Sequence, residues 1–75
     1  MQSYLNLGGK SNIAAYDIGS DYINVQFKDN SIYLYTYSSA GMQSIEQMKR
    51  LATQGRGLNS FINTEVKRLY ASKLR

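Results

Sequence analysis

The chain has 75 residues, enough for one domain with a modest core, and nine basic against five acidic side chains give it a net charge of +4. It contains no cysteine and no histidine, which excludes disulfides, thiolate ligands, cysteine nucleophiles and the commonest general base. Its five carboxylates are scattered along the sequence without the spacing of a ligand cluster. We therefore expect a protein that is not an enzyme and that uses neither a metal nor a cofactor.

The sequence carries no recognisable targeting or membrane-spanning segment. Its first ten residues lack both the basic start and the apolar stretch of a signal peptide. No apolar run approaches the ~20 residues that span a bilayer. These features predict a soluble cytoplasmic protein that does not engage a membrane.

Alternating apolar and polar residues predict three β-strands joined by short turns. The strands cover Asn12–Asp17, Tyr22–Phe27 and Ser31–Tyr37. Strict alternation in the first strand would place Ile13 and Tyr16 on opposite faces of the sheet. Turns as short as these connect antiparallel neighbours, so we expect a meander.

The turn between the second and third strands decides where the tyrosines of the third strand point. A two-residue turn at Asp29-Asn30 directs Tyr33 and Tyr35 away from the core, where they could stack on nucleobases. A three-residue loop beginning at Lys28 directs both rings into the core as ordinary packing. The strand pattern by itself is compatible with either turn.

Helical spacing replaces the alternation after the third strand. One apolar stripe comprises Met42, Ile45, Met48, Leu51 and Ala52. It ends at Gly55-Arg56-Gly57, which is either a helix–helix turn or a loop whose free amides and arginine bind an anion. A second stripe comprises Leu58, Phe61, Ile62, Val66, Leu69, Tyr70 and Leu74. We predict an α+β fold of order β-β-β-α-α, with both helices packed on one face of a three-stranded antiparallel meander.

Positive charge is concentrated in the helical half. Residues 1–41 hold two lysines and three aspartates, a net charge of −1, whereas residues 42–75 hold seven basic and two acidic side chains, a net charge of +5. Such a half can bind phosphates or an acidic protein, or it can simply be a solvated helical face. The candidate nucleic-acid-binding residues are Lys49, Arg50, Arg56, Lys67 and Arg68, together with Tyr33 and Tyr35.

Four short motifs in order resemble the KTSC domain, a small domain named after its occurrence at the C-terminus of some lysyl-tRNA synthetases. They are Ser-Asn-Ile-Ala-Ala-Tyr-Asp at 11–17, Val-x-Phe at 25–27, Tyr-Leu-Tyr at 33–35 and Gly-x-x-Leu-Asn-x-x-Ile at 55–62. The resemblance covers about residues 11–70, so we expect a KTSC-like domain over 11–75 preceded by an extension, 1–10, that either frays or adds an edge strand.

The resemblance also has implications for register and function. Family members often carry a basic residue between the two tyrosines, which favours inward-facing Tyr33 and Tyr35; here that residue is Leu34. Association with the synthetase suggests RNA binding, which we expect to be weak and to use the basic helical surface. The alternative is a protein-interaction or adaptor module that uses Ile32, Leu34 and the sheet face opposite the helices.

Overall fold

The computed structural model describes residues 1–75 and contains one antiparallel sheet whose strands follow chain order. The strands are β1 (Gln2–Ser3), β2 (Ile13–Ile18), β3 (Tyr22–Phe27), β4 (Ile32–Thr36) and β5 (Ser72–Lys73). The helices are α1 (Tyr37–Ala40), α2 (Met42–Gln54) and α3 (Leu58–Phe61), and α3 continues into a π-helical segment, Ile62–Val66. None of these helices is both long and apolar enough to cross a bilayer.

The predicted α+β class is confirmed, but the three-stranded sheet is wrong. The sheet has five strands, because β1 pairs with β2 and β5 pairs with β4 at the two edges. Each added strand is only two residues long, too short to show an alternating pattern in the sequence. The three predicted strands are therefore the centre of a larger sheet.

The N-terminal ten residues belong to the fold. The ring of Tyr4 is buried, and its hydroxyl accepts a hydrogen bond from the Leu58 N–H at 3.3 Å. The Leu7 N–H donates to the carbonyl of Gly55 at 2.7 Å. Since Gln2–Ser3 also pairs with β2, the edge strand is the one of the two expectations that is observed.

The loop between β3 and β4 is the three-residue loop. The Phe27 N–H donates to the Ser31 carbonyl at 2.9 Å, and Asn30 adopts a left-handed conformation with φ of 72°. Asparagine tolerates this conformation because its short polar side chain can bond the local backbone. Val25 consequently pairs with Tyr33, so the tyrosines of β4 share the core face.

A bulge in β2 overturns the face assignment of the first strand. The pairing with β3 shifts between Ile13 and Ala15, so one extra residue lies in β2 at this point. Ile13 and Tyr16 are therefore both buried on the core face, although strict alternation predicts opposite faces. The sequence around the bulge contains no glycine to signal the irregularity.

Helix α2 covers the core face with most of the predicted stripe. Ile45, Met48 and Ala52 are buried against the sheet, whereas Met42 at the first turn is 59% exposed, contrary to prediction. The helix ends as predicted at Gly55, which is left-handed with φ of 82° and donates its N–H to the last carbonyls.

The second helical stripe is correct only as far as Val66. Leu58, Ile62 and Val66 are buried, but the chain then leaves the helix and returns to β4 as β5. The Ala71 N–H donates to the Leu34 carbonyl at 2.6 Å and draws the C-terminal segment onto the sheet edge. The remaining predicted members, Leu69, Tyr70 and Leu74, are accordingly exposed rather than part of a helical stripe.

Candidate functional site

The main concave feature is a cleft of about 620 Å³ at one end of the sheet. Its walls come from the β3–β4 loop, the core face of β4, the π-helical segment and the C-terminal segment, residues 67–75, that returns to β4. The lining residues are Asn12, Phe27, Lys28, Asp29, Ser31, Tyr33, Tyr35, Ile62, Asn63, Lys67 and Tyr70. The three-residue loop creates this site, since the alternative register would turn the β4 tyrosines to the other face of the sheet.

Four aromatic rings form a continuous wall of the cleft. The Tyr33 ring lies at the centre, edge-to-face with Phe27 at a centroid distance of 5.7 Å and with Tyr70 at 4.8 Å. Tyr70 also contacts Tyr35 edge-to-face, with centroids 6.4 Å apart. Aromatic pairs prefer this geometry because the positive edge of one ring meets the negative face of the other. The wall thus offers apolar surface bordered by phenolic hydroxyls.

The hydroxyl of Tyr35 has no hydrogen-bond partner in the chain. Among the tyrosines, only the hydroxyls of Tyr4 and Tyr37 are bonded internally. Tyr35 is only 2% exposed and lines the cleft, and its hydroxyl oxygen keeps some contact with solvent. Burial, assisted by the nearby Tyr33 and Tyr70 hydroxyls, raises the pKa of Tyr35 to about 12. At neutral pH this hydroxyl is therefore a protonated donor at the floor of the cleft.

Two lysines line the cleft and a third lies next to its Tyr33 ring, and none of the three forms an ion pair. Lys28 and Lys67 line it from the loop and from the end of the helix, and the Lys73 Nζ lies 5.8 Å from the Tyr33 ring centroid. The one carboxylate present, Asp29, accepts hydrogen bonds from the Ser31 hydroxyl at 2.6 Å and the Ser31 N–H at 3.0 Å. These bonds hold the pKa of Asp29 below its usual value, so it stays an anion committed to the loop. Lys28 and Lys67 are left available to an external anion, whereas Lys73 also interacts with the Asp29 charge.

The structure does not gather the predicted basic residues into one helical surface. Lys49 donates to the Ser20 carbonyl at 2.9 Å, which places it by the β2–β3 turn, while Lys67 lines the cleft near the β3–β4 loop. The six residues of β3 separate these two turns, a length of roughly 20 Å. Lys49 and Lys67 therefore belong to different ends of the molecule.

The remaining predicted arginines also lie outside the cleft. Arg50 is exposed on α2 and donates to the Gln47 side-chain oxygen at 2.8 Å. Arg56 lines a smaller polar pocket of about 220 Å³ with Lys10. Arg68 is exposed next to Lys67 but does not line the cleft. Of the predicted set, the structure brings together only Lys67, Tyr33 and Tyr35.

Sequence reasoning missed several of the lining residues. The strand pattern gives Lys28 only a place in the loop, although the three-residue register that turns Tyr33 inward also brings this loop beside the ring. Helical spacing assigns Tyr70 to an apolar stripe, and no local pattern signals the C-terminal return that brings it to Tyr33. No group of three or more Cys, His, Asp or Glu side chains that could hold a metal ion comes together.

Comparison of the chain with protein-family models, with curated proteins and with solved structures gave no match.

Proposed function

We propose that this protein is a small non-catalytic module that binds single-stranded RNA weakly in the aromatic cleft. The proposal is supported above all by the coincidence, in one cleft, of four aromatic rings with lysines that have no internal partner. Proteins that bind single strands without sequence preference combine these two elements, because every base has a π-face and every nucleotide a phosphate. The resemblance to the KTSC domain, itself a proposal, agrees with an RNA ligand.

The site of the proposed interaction differs from the helical surface expected from charge alone. Lys67 is the helical contribution, Lys28 comes from the β3–β4 loop and Lys73 from β5. Contact of these three lysines with phosphates would release condensed counterions. The slope of log affinity against log salt is then about −2, since each phosphate contact on a single strand adds about −0.7.

Fluorescence anisotropy with a labelled single-stranded RNA at low salt tests this proposal. We expect Lys67→Ala to weaken binding and to reduce the magnitude of the salt slope by about 0.7. Arg50→Ala is the matched control, because it removes an exposed helical cation outside the cleft. Absence of binding at low salt, or an equal loss in both variants, contradicts the proposal.

A protein-interaction module is the second candidate, favoured by the sheet face that no helix covers. Strand alternation puts Ile32, Leu34 and Leu74 together on this face, and Leu74 is 52% exposed. The partner would be a chain with an apolar surface, and a second copy of this chain is the partner tested first. Light scattering over a concentration series then shows a dimer that Leu74→Asp dissociates, whereas a monomer at every concentration counts against it.

A further inference from the structure

We infer that the cleft accepts the base of one unpaired nucleotide, so that a nucleoside monophosphate is its smallest ligand. This inference rests on the proposed RNA-binding function and specifies the unit that is recognised. A cleft of about 620 Å³ has the size of a small-molecule site rather than of a groove along a strand; such sites measure about 300–1,000 Å³.

The cleft has separate regions that suit the two ends of a nucleotide. Its inner part is formed by the half-buried ring of Tyr33, the buried ring of Tyr35 and the side chain of Ile62. Lys28 and Lys67 are exposed and come from different walls of the same cleft. The flat π-face of a base suits the inner part, and a phosphate suits the lysines, which attract it from two sides.

The unpartnered Tyr35 hydroxyl is the second observation that points to a ligand. Its oxygen keeps some contact with solvent, so in the free protein water is its partner, and a ligand acceptor could take the place of that water. Tyr35 belongs to the core, yet its hydroxyl faces the cleft and has no acceptor in the chain. Nitrogen and carbonyl acceptors on a base edge would supply one. The side chains of Asn12 and Asn63 line the same cleft and add both donors and acceptors.

A base held in this way cannot remain paired. A duplex would have to extrude a nucleotide into the cleft, at a cost of a few kcal/mol for unstacking and unpairing. Single strands should therefore bind in preference to a duplex of the same sequence and phosphate number. Binding by the lysines alone would give no such preference, since duplexes also attract cations.

Titration with adenosine 5′-monophosphate and uridine 5′-monophosphate, followed by NMR of the tyrosine rings, tests the inference. We expect both nucleotides to shift the ring signals of Tyr33, Tyr35 and Tyr70 and to displace labelled single-stranded RNA. Ribose 5-phosphate, which lacks the base, should do neither. Tyr35→Phe retains the ring and should weaken nucleotide binding about fivefold, and Tyr70→Ala should weaken it about tenfold.

The controls separate this inference from the proposed function. Tyr22→Phe is the matched control, because Tyr22 lies on the opposite face of the sheet, where it pairs with Thr36. If RNA binds with the expected salt slope but the mononucleotides neither bind nor compete, the inference is wrong and the proposed function stands. The inference is equally wrong if Tyr35→Phe and Tyr22→Phe bind nucleotides alike. If RNA itself fails to bind at low salt, both fail.

Discussion

The two ends of the sheet use the same residue types in opposite ways. At the β2–β3 end, the Tyr37 hydroxyl donates to Glu46 at 2.6 Å, and the Lys49 Nζ donates to the same carboxylate oxygen at 2.7 Å. Lys49 also lies 5.6 Å from the Tyr37 ring centroid, much as Lys73 lies over Tyr33 at the other end. At the cleft, however, the lysines and the Tyr35 hydroxyl have no polar partner within the chain.

Tyrosine next to lysine therefore occurs at both ends, and the polar groups are paired within the chain at only one of them. We call the Tyr37–Glu46–Lys49 group the clasp, because it joins the end of β4 to α2 and, through the Ser20 carbonyl, to the β2–β3 turn. One carboxylate oxygen of Glu46 satisfies both the Tyr37 hydroxyl and the Lys49 ammonium there. The cleft has a carboxylate too, but Asp29 is occupied by Ser31. Availability of the polar groups, rather than their identity, distinguishes the two ends.

Replacing the tyrosine at each end gives the largest expected difference. Tyr35 is 2% exposed and packed in the core, so Tyr35→Ala should lower the free energy of unfolding by about 3–5 kcal/mol. Tyr37 is only half-buried, so Tyr37→Ala should lower the free energy of unfolding by far less. Denaturant unfolding monitored by circular dichroism measures both. Similar losses in the two variants would mean that the cleft tyrosine is not the structural member of the pair.

The β3–β4 loop tests whether register creates the cleft. Asn30 has φ of 72°, a conformation that a β-branched residue disfavours, so Asn30→Val should destabilise the fold by about 1–2 kcal/mol. Asn30→Gly is the matched control and should be tolerated, because glycine adopts positive φ freely. Thermal unfolding of the two variants gives the comparison. Equal melting temperatures would contradict the three-residue loop.

The protonation of Tyr35 provides a pH test of the cleft end. Because its pKa is raised to about 12 in the folded protein, the neutral hydroxyl contributes stability that is fully present below the unfolded value near 10. That stability is lost as the pH rises from 10 towards 12, and the loss should be less than about 1 kcal/mol at pH 10.5. Ultraviolet titration of tyrosinate should show a late step that Tyr35→Phe removes. A titration curve unchanged by Tyr35→Phe would contradict the assignment.

A substitution of Glu46 in the clasp should have the smallest effect of these changes on stability. The Lys49 ammonium and then the Tyr37 hydroxyl hold the pKa of Glu46 below its usual value, so its contribution is present at neutral pH and disappears as acid protonates the carboxylate. Glu46→Gln should lower the melting temperature slightly at pH 7, and the difference should vanish at the acid end. Exposed ion pairs contribute little to stability, so the change in melting temperature should be small. RNA affinity should not change, because the clasp lies at the β2–β3 turn, away from the cleft. A loss of RNA affinity in Glu46→Gln would contradict the assignment of binding to the cleft end alone.

The sequence predicted the parts of the fold that depend on local pattern. The apolar alternation of β3 and β4, the stripe of α2 and the glycine that ends it at Gly55 are all visible within short windows. The strand pattern left the choice between two loops at Asn30 open, and only the resemblance to the KTSC domain favoured the three-residue loop. Tyr33 and Tyr35 were therefore correctly expected on the core face, although their place in a cleft was not.

The remaining errors came from contacts between residues far apart in sequence. Leu69, Tyr70 and Leu74 keep helical spacing with Val66, and nothing local reveals that Leu34 and Ser72 pair across the sheet. The bulge after Ile13 similarly depends on pairing with β3. The prediction of the candidate site was the least complete, since Lys28, Lys73 and Tyr70 reach the site only through such pairings. Counting basic residues on a helix could not separate Lys67 from Lys49.

Chemical-shift mapping with a short single-stranded RNA tests the central claim most directly. Backbone amide spectra recorded during a titration at low salt would report on both ends of the sheet at once. We predict shifts confined to the cleft, at Lys28–Ser31, Tyr33, Asn63, Lys67 and Tyr70, and none at Tyr37, Glu46 or Lys49. Shifts centred on the clasp or spread along α2, or no shifts at all, would contradict binding in the cleft.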